Sequence, residues 1–227
     1  MTAKRLISIH WFRQDLRLSD NPALSEAIES GDILPIYILD DINSNDNKMG
    51  EASRWWLHHS LSNLNKKLGG KISFYNGDPK EIFNKLSEQY DVKSIYWNRC
   101  YEPWRIKRDK DLKKDLEEKN IHIETHNGSL LWEPWTVLKN DGTPYRVFSP
   151  YYKRGCLEAP APREPIQEPS LSNIVSNLFD SLSLDDLDLL PEVGWYEDME
   201  NLWSPGEDGA KEKLHKFLDY GLLGYKE

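Results

Sequence analysis

Residues 10–21 read HWFRQDLRLSDN and place two aromatic rings, two arginines and two aspartates where a short apolar stretch ends. Aromatic faces and a few charged groups at a strand end suit a planar heteroaromatic ligand. A phosphate-binding loop would need glycines there, because backbone N–H groups must approach the anion, and residues 10–22 contain none. Neither GxGxxG nor GxxxxGKS/T occurs in the chain, which argues against dinucleotide or nucleoside triphosphate binding of the usual kind.

Hydrolase and metal motifs are also absent from the sequence. There is no GxSxG, and His58-His59 lacks the spaced carboxylate that would complete HExxH. The two cysteines have no CxxC spacing, which argues against a zinc site or a disulfide framework. Arg99 and Arg105 flank Cys100 and are expected to lower the pKa of its thiol, but no partner base is identifiable. The sequence predicts no catalytic residue and no metal site.

Apolar runs and turn residues predict an alternation of strands and helices with short connections. Such alternation indicates an α/β fold, here a Rossmann-like, doubly wound five-stranded parallel sheet of order 3-2-1-4-5. Asp20-Asn21-Pro22 is expected to start the first helix, since an Asx cap followed by proline is a common helix beginning. The predicted strands are 5–12, 33–39, 71–75, 93–97 and 121–125, and the predicted helices are 22–30, 51–68, 80–90 and 103–119.

A ligand crevice is expected where the strand order reverses, beyond the carboxyl ends of the first and fourth strands. The end of the second strand lies beside it. Arg13, Asp15 and Arg17, in the loop after the first strand, are interpreted as an ionic network that fixes this loop. The strand-end residues expected to line the crevice are Phe12, Leu39, Asp40, Trp97, Asn98, Cys100 and Glu102.

The net charge of −9 comes from one segment of the chain. Residues 164–210 contain twelve acidic residues and no Lys or Arg, and the rest of the chain carries +3. No strong basic patch therefore indicates a nucleic-acid surface, although the overall charge does not exclude one. No signal peptide and no membrane-spanning stretch is visible, so the expected location is the cytoplasm.

The alternating pattern ends near residue 130. A proline-rich stretch and the acidic segment follow, and residues from about 158 on are expected to be mobile. A final amphipathic helix over 207–220 is expected to begin another domain, with Ala210, Leu214, Phe217 and Leu218 on one face.

Five motifs occur in order and resemble the photolyase/cryptochrome family, most closely its bacterial class I cyclobutane pyrimidine dimer photolyases. They are WFRQDLRLSDNPAL (11–24), MGEASRWWLHHSL (49–61), YWNRCYEPW (96–104), SLLWEPW (129–135) and GTPYRVFSPYYKR (142–154).

This resemblance implies an α/β antenna domain (1–130), an extension packed on it (131–157), a linker (158–204) and the start of a truncated helical FAD-binding domain (205–227). In the full-length family, FAD and blue light drive repair of damaged DNA. The resemblance places only Tyr225 at the FAD site, so this chain alone is expected to be inactive. The α/β domain commonly holds a second chromophore, which is a folate, a deazaflavin or a flavin.

The resemblance also matches single residues of this chain to residues that contact the chromophore in relatives. Arg54 and Glu102 match residues that contact a deazaflavin in relatives, but Cys100 stands where those relatives have aspartate. Trp104 and Arg105 stand where folate-binding relatives have asparagine and glutamate. The identity of the chromophore therefore stays open.

Two other functions also stay open. A cryptochrome-like photoreceptor would share this domain and differ in parts beyond residue 227. A free-standing, small-molecule-binding Rossmann-like module would instead be complete at residue 227, and the unfinished final helix argues against it.

Overall fold

The computed structural model describes residues 4–225. A five-stranded parallel sheet forms its centre, in the order β3-β2-β1-β4-β5, so the predicted order 3-2-1-4-5 is confirmed. Lys226 and Glu227, at the end of the predicted helical domain, lie outside the described residues. The strands are β1 (Leu6–Phe12), β2 (Ile33–Leu39), β3 (Ser73–Asn76), β4 (Asp91–Asn98) and β5 (His122–His126).

Four helices connect these strands, and further helices follow the sheet. The connecting helices are α1 (Pro22–Glu29), α2 (Glu51–Lys67), α3 (Pro79–Gln89) and α4 (Pro103–Glu118). The later ones are α5 (Phe148–Pro150), which continues as a π-helix (Tyr151–Cys156), α6 (Glu197–Leu202), and α7 (Glu207–Lys216), which continues as a π-helix (Phe217–Gly221). No helix among residues 4–225 is long and apolar enough to cross a membrane.

Two hydrophobic cores cover opposite faces of the sheet. Phe12 packs with side chains of α1 and α2, whereas Trp11 packs with side chains of α3 and α4. All seven residues of β2 are buried, as its unbroken apolar run indicates for a strand covered on both faces. Helices thus lie on both sides of the sheet, and the loops at its carboxyl edge are left to form a site.

Helix starts follow the local sequence closely. The Asn21 side chain accepts a hydrogen bond from the backbone of Leu24, and proline follows at the first position of α1. Asp78 and Pro79 start α3 in the same way. β3 begins two residues later than predicted, because the Ile72 backbone N–H donates to the Asn65 side chain and not to a strand.

The segment after the proline-rich stretch is anchored to the sheet. Ile33 accepts a backbone hydrogen bond from Val175, and Phe74 accepts one from Leu182. Ile174, which lies next to Val175, is 3 % exposed and belongs to the hydrophobic core. The mobility expected from about residue 158 on stays a prediction, and these contacts argue against it for this segment, because its apolar side chains complete the core.

Candidate functional site

A cavity of about 620 Å³ opens beyond the carboxyl ends of β1 and β2. Its walls come from the loop after β1, the end of β2, one face of α2 and the first turns of α4 and α7. Parallel strands bring their carboxyl ends to one edge, so the position follows from the topology. The cavity lies beside β2, whereas the strand order predicts a crevice between β1 and β4.

Leu39 and Asp40, two of the predicted residues, line this cavity. Glu102 lines an adjoining cavity of about 560 Å³. Phe12 is fully buried in the core beside α1 and α2. Trp97 is buried on the opposite face of the sheet and packs edge to face against Trp11 at 5.7 Å.

Asn98 joins the loop after β1 to the cap of α1. Its amide nitrogen donates to Asn21 Oδ1 at 2.7 Å and to the Asp15 carboxylate, and its Oδ1 accepts from the Ala23 backbone at 3.3 Å. Its backbone carbonyl accepts from Arg13 Nε at 3.0 Å. Asn98 is 1 % exposed, so it supports the site from behind.

Two other predicted residues also lie off the larger cavity. Cys100 is 6 % exposed. Burial raises the pKa of its thiol more than Arg13 and Arg105 lower it, so the expectation of a lowered pKa is wrong. Arg54 forms an ion pair with Asp41 and donates to a backbone carbonyl of the preceding loop at 3.1 Å.

An alternating stack of tryptophan and arginine side chains runs along one wall of the cavity. We call it the Trp–Arg stack. The Arg13 guanidinium lies 5.0 Å from the Trp11 ring, and the Arg108 guanidinium lies 4.9 Å from that same ring. Arg108 also lies 5.2 Å from Trp104, and Arg105 lies 4.7 Å from Trp104. Stacking of this kind holds each guanidinium plane against a ring.

Buried ion pairs hold two of these arginines. Arg108 bridges Asp40 at 2.9 Å and Asp109 at 2.7 Å, and Arg13 also pairs with Asp109. Burial acts to lower the pKa of Arg108, but the two carboxylates outweigh it and raise the pKa. The wall is therefore charged and rigid at neutral pH.

The predicted ionic network of the β1–α1 loop is present only in part. Arg13 pairs with Asp109, and Arg17 donates mainly to backbone carbonyls, including Gly128 O at 2.6 Å. Asp15 accepts from Asn98 and not from an arginine. Each side chain ties the loop to a different element, so the loop is fixed from several sides.

Glu207, at the start of α7, closes another wall and was not singled out from the sequence. Its carboxylate accepts from the backbones of Leu18 and Ser19, from the Ser19 hydroxyl and from Lys211. Lys67 Nζ lies 3.7 Å away. Burial acts to raise the pKa of Glu207, but these donors outweigh it and lower the pKa to about 2. A charged carboxylate thus docks α7 onto the loop after β1.

Sequence comparison shows a similarity that covers this site. The family model described as DNA photolyase matches residues 8–170. A deoxyribodipyrimidine photo-lyase of Agrobacterium fabrum is 36 % identical over 100 % of this chain and 48 % of its own length. Cryptochrome-1 of Arabidopsis thaliana is 31 % identical over 97 % of this chain and 33 % of its own length. The chain thus spans no more than about half of these curated relatives.

Solved structures show the same similarity in three dimensions. A bacterial class III photolyase from Agrobacterium tumefaciens superposes with a TM-score of 0.87 at 34 % identity, over 100 % of this chain and 47 % of its own. A cryptochrome from Synechocystis sp. PCC6803 shares the fold, with a TM-score of 0.74 at 23 % identity over 85 % of this chain and 42 % of its own. The first of these is a class III photolyase, whereas the sequence motifs of this chain resemble class I enzymes.

Proposed function

This chain belongs to the DNA photolyase family, and we propose that it is the antenna-chromophore domain of a deoxyribodipyrimidine photo-lyase. The observation that carries this proposal is the aromatic cavity at the carboxyl edge of the sheet. Its volume of about 620 Å³ lies within the range of pockets that enclose drug-sized organic molecules.

The cavity has the chemistry that a planar heteroaromatic chromophore requires. Trp11, Tyr37, Trp56 and Trp104 offer ring faces and edges, and Leu39 adds apolar surface at the end of β2. When bound, such a group absorbs light and passes the excitation energy to the catalytic cofactor. The protein holds the ring in one orientation and excludes water from it.

The predicted chromophore residues take different positions in this proposal. Leu39 and Asp40 line the larger cavity and Glu102 lines the adjoining one. Four buried or ion-paired residues lie outside both linings and would support the walls. They are Phe12, Arg54, Trp97 and Asn98. Cys100, which Arg105 contacts at 3.7 Å, also lies behind the wall.

Tyr225 is the one residue of this chain that the family resemblance places at an FAD site. Tyr225, the residue carried over for this cofactor, is 76 % exposed and lines neither cavity. Its one aromatic contact is with Phe217, at 6.0 Å between ring centroids. We therefore assign FAD binding, contact with damaged DNA and repair to a longer protein, and we expect this chain alone to be inactive.

We also propose the domain division that the family implies. The α/β antenna domain covers residues 1–130, the extension 131–157 and the linker 158–204, with the start of a helical domain at 205–227. The anchoring of Ile174 in the core suggests that part of the linker is structurally integral to the first domain.

The proposal is tested by measuring which chromophore the protein holds and where. Purified protein is extracted, and the extract is examined by mass and absorption spectrometry; we expect a folate, a flavin or a deazaflavin. Ser53 lies at the cavity wall on α2, so Ser53→Trp should place an indole in the cavity and reduce binding at least about tenfold.

Ser62→Trp adds the same indole to an exposed position of α2 outside the cavity and should leave binding unchanged. The absence of any chromophore in the extract, combined with no binding of added folate or flavin, would contradict the proposal. Equal loss of binding in both variants would show that the chromophore does not bind in this cavity.

A photoreceptor is the second candidate, favoured by the identity of 31 % with Cryptochrome-1 of Arabidopsis thaliana. The two candidates share the antenna domain and differ in what the longer protein does. If the reading frame continues into an FAD-binding domain, its product can be assayed for blue-light splitting of thymine dimers in an oligonucleotide. Splitting indicates a photolyase, and its absence from an FAD-loaded product indicates a photoreceptor.

A further inference from the structure

The two cavities at the carboxyl edge share a wall. Both are lined by Gln14, Met49, Trp104 and Arg105, so the larger cavity of about 620 Å³ and the smaller one of about 560 Å³ adjoin at these residues. A ligand in either cavity can therefore reach the Arg105 side chain, which lines both.

The acidic side chains of the larger cavity are already paired within the protein. Asp40 binds Arg108, Asp15 accepts from Asn98, and Glu207 binds Lys211 and the loop after β1. Acids that are already satisfied offer little attraction to a positively charged ligand.

Three of the four arginines that line the larger cavity also have strong partners. Arg13 pairs with Asp109, Arg108 pairs with Asp40 and Asp109, and Arg17 donates to three backbone carbonyls. These guanidinium groups hold the walls together and have little donor capacity left.

Arg105 differs from these three arginines. Among residues 4–225, its one hydrogen-bond acceptor is the sulfur of Cys100, at 3.7 Å, and its Nε is buried without a hydrogen-bond partner. Its ion pair with Glu102 is 3.5 Å long, and Glu102 already accepts a hydrogen bond from Gln14 at 2.7 Å. The Glu102 side chain is 40 % exposed, so solvent screens this attraction.

The position of Arg105 is fixed before any ligand arrives. Its guanidinium stacks on the Trp104 ring at 4.7 Å, and its side chain is 19 % exposed. A guanidinium that is largely desolvated and poorly paired gains most from an oxyanion, which its fork of N–H donors can bind in a bidentate way. Because it is pre-organised, little conformational entropy is lost on binding.

We infer that Arg105 binds an oxyanion of the chromophore, so that the ligand is a planar heteroaromatic molecule bearing a carboxylate or a phosphate. This inference rests on the proposed function of the cavity and narrows it. The ring lies in the larger cavity, and the acidic substituent reaches the shared wall. A neutral chromophore of the same ring size leaves Arg105 with Glu102 and Cys100 as its partners and binds more weakly.

Two pairs of probes isolate the oxyanion at a constant ring. FMN and riboflavin differ by a phosphate, and folic acid and its dimethyl ester differ by two carboxylates. Fluorescence titration should show that the wild-type chain binds the acidic member of at least one pair about tenfold more tightly or better. The pair that shows this preference identifies phosphate or carboxylate as the group bound.

Arg105→Gln should bring the two members of that pair to equal affinity and leave the neutral member unchanged. Arg146→Gln, at an exposed position outside both cavities, should retain the preference. The wild-type protein supplies a second measurement that does not depend on a variant. The preference should shrink as salt is raised, because ions screen the attraction of Arg105, while binding of the neutral member stays constant.

Equal wild-type affinity within both pairs would overturn the inference, and so would a preference that survives in Arg105→Gln. If the neutral probes bind and Ser53→Trp blocks them, the proposed function stands even though Arg105 has no such role. If no probe binds and no chromophore is extracted, both proposals fail.

Discussion

At the scale of single residues, Asn98 holds together three parts of the site. It hydrogen-bonds to the loop after β1 through Asp15 and to the cap of α1 through Asn21, and it ends β4. A buried amide whose donors and acceptor are all used is costly to displace, because each partner would lose its hydrogen bond in a place without water.

Gly128 lies against this amide and provides a test of it. A Cβ at residue 128 would stand 2.6 Å from Asn98 Cγ and 2.9 Å from its Cβ. Because Asn98 is held by its hydrogen bonds and cannot move aside, Gly128→Ala should lower the free energy of unfolding by about 1–3 kcal/mol in urea titrations.

Gly224→Ala is the matched control, since residue 224 is exposed and a Cβ there meets no atom within 4 Å. It should leave the free energy of unfolding within about 0.5 kcal/mol of the wild-type value. Equal effects of the two substitutions would show that Asn98 is not a rigid support.

Strand geometry decides which side chain at the end of β1 lines the cavity. Side chains alternate between the two faces of a strand, so Trp11 and Phe12 point to opposite sides. Trp11 lines the cavity and Phe12 enters the core beside α1 and α2. The sequence identifies the strand end, but it does not state which of two adjacent aromatic residues faces a ligand.

At the scale of elements, α4 supplies Arg108, which the sequence does not single out. Trp104 and Arg108 are four residues apart, so the helix places them on the same face, where they stack at 5.2 Å. This spacing is visible in the sequence, but many helices show similar spacings on solvated faces. Only the packing against Trp11 and Asp40 gives this pair its place in the Trp–Arg stack.

The docking of α7 onto the loop after β1 depends on pH. The pKa of Glu207 falls from an ordinary value of 4.5 to about 2 in the folded chain. A carboxylate with a depressed pKa stabilises the fold fully above its unfolded pKa, and that stabilisation is lost as pH falls through the folded pKa. The contacts of Glu207 with Ser19 and Lys211 should therefore weaken between pH 4.5 and 2.

Hydrogen exchange over residues 207–216, corrected for intrinsic rates, measures this docking. Glu207→Gln should show reduced protection already at pH 6, because a neutral amide binds Lys211 less well. Glu212→Gln, on an exposed position of the same helix, should match the wild type. Wild-type protection in Glu207→Gln at pH 6 would show that other contacts dock α7.

At the scale of the whole molecule, the sheet was predictable because several independent features of the sequence indicate it. The apolar run of β2, the capped start of α1 and the regular alternation all indicate one topology. Residues 171–190 contain ten apolar residues, but these do not continue the alternation of strands and helices. Ile174, Leu187 and Leu189 are buried because they meet a surface that the rest of the fold creates.

That burial makes the stability of the α/β domain depend on a segment far along the chain. Ile174→Asp would place a carboxylate in the core beside β2, and we expect the free energy of unfolding to fall by about 3–5 kcal/mol. Urea unfolding followed by tryptophan fluorescence should show one transition at a lower midpoint. The domain and this segment would then unfold together.

Ile42→Asp introduces the same charge at a position that is 61 % exposed, and it should change the midpoint little. Hydrogen exchange adds a local measurement, since the amides of Val175 and Leu182 donate to β2 and β3 and should be protected in the wild type. If Ile174→Asp left the midpoint unchanged, the segment would be a linker resting on a domain that is stable without it. A lowered midpoint together with lost protection at both amides would place the end of the domain's core beyond residue 174.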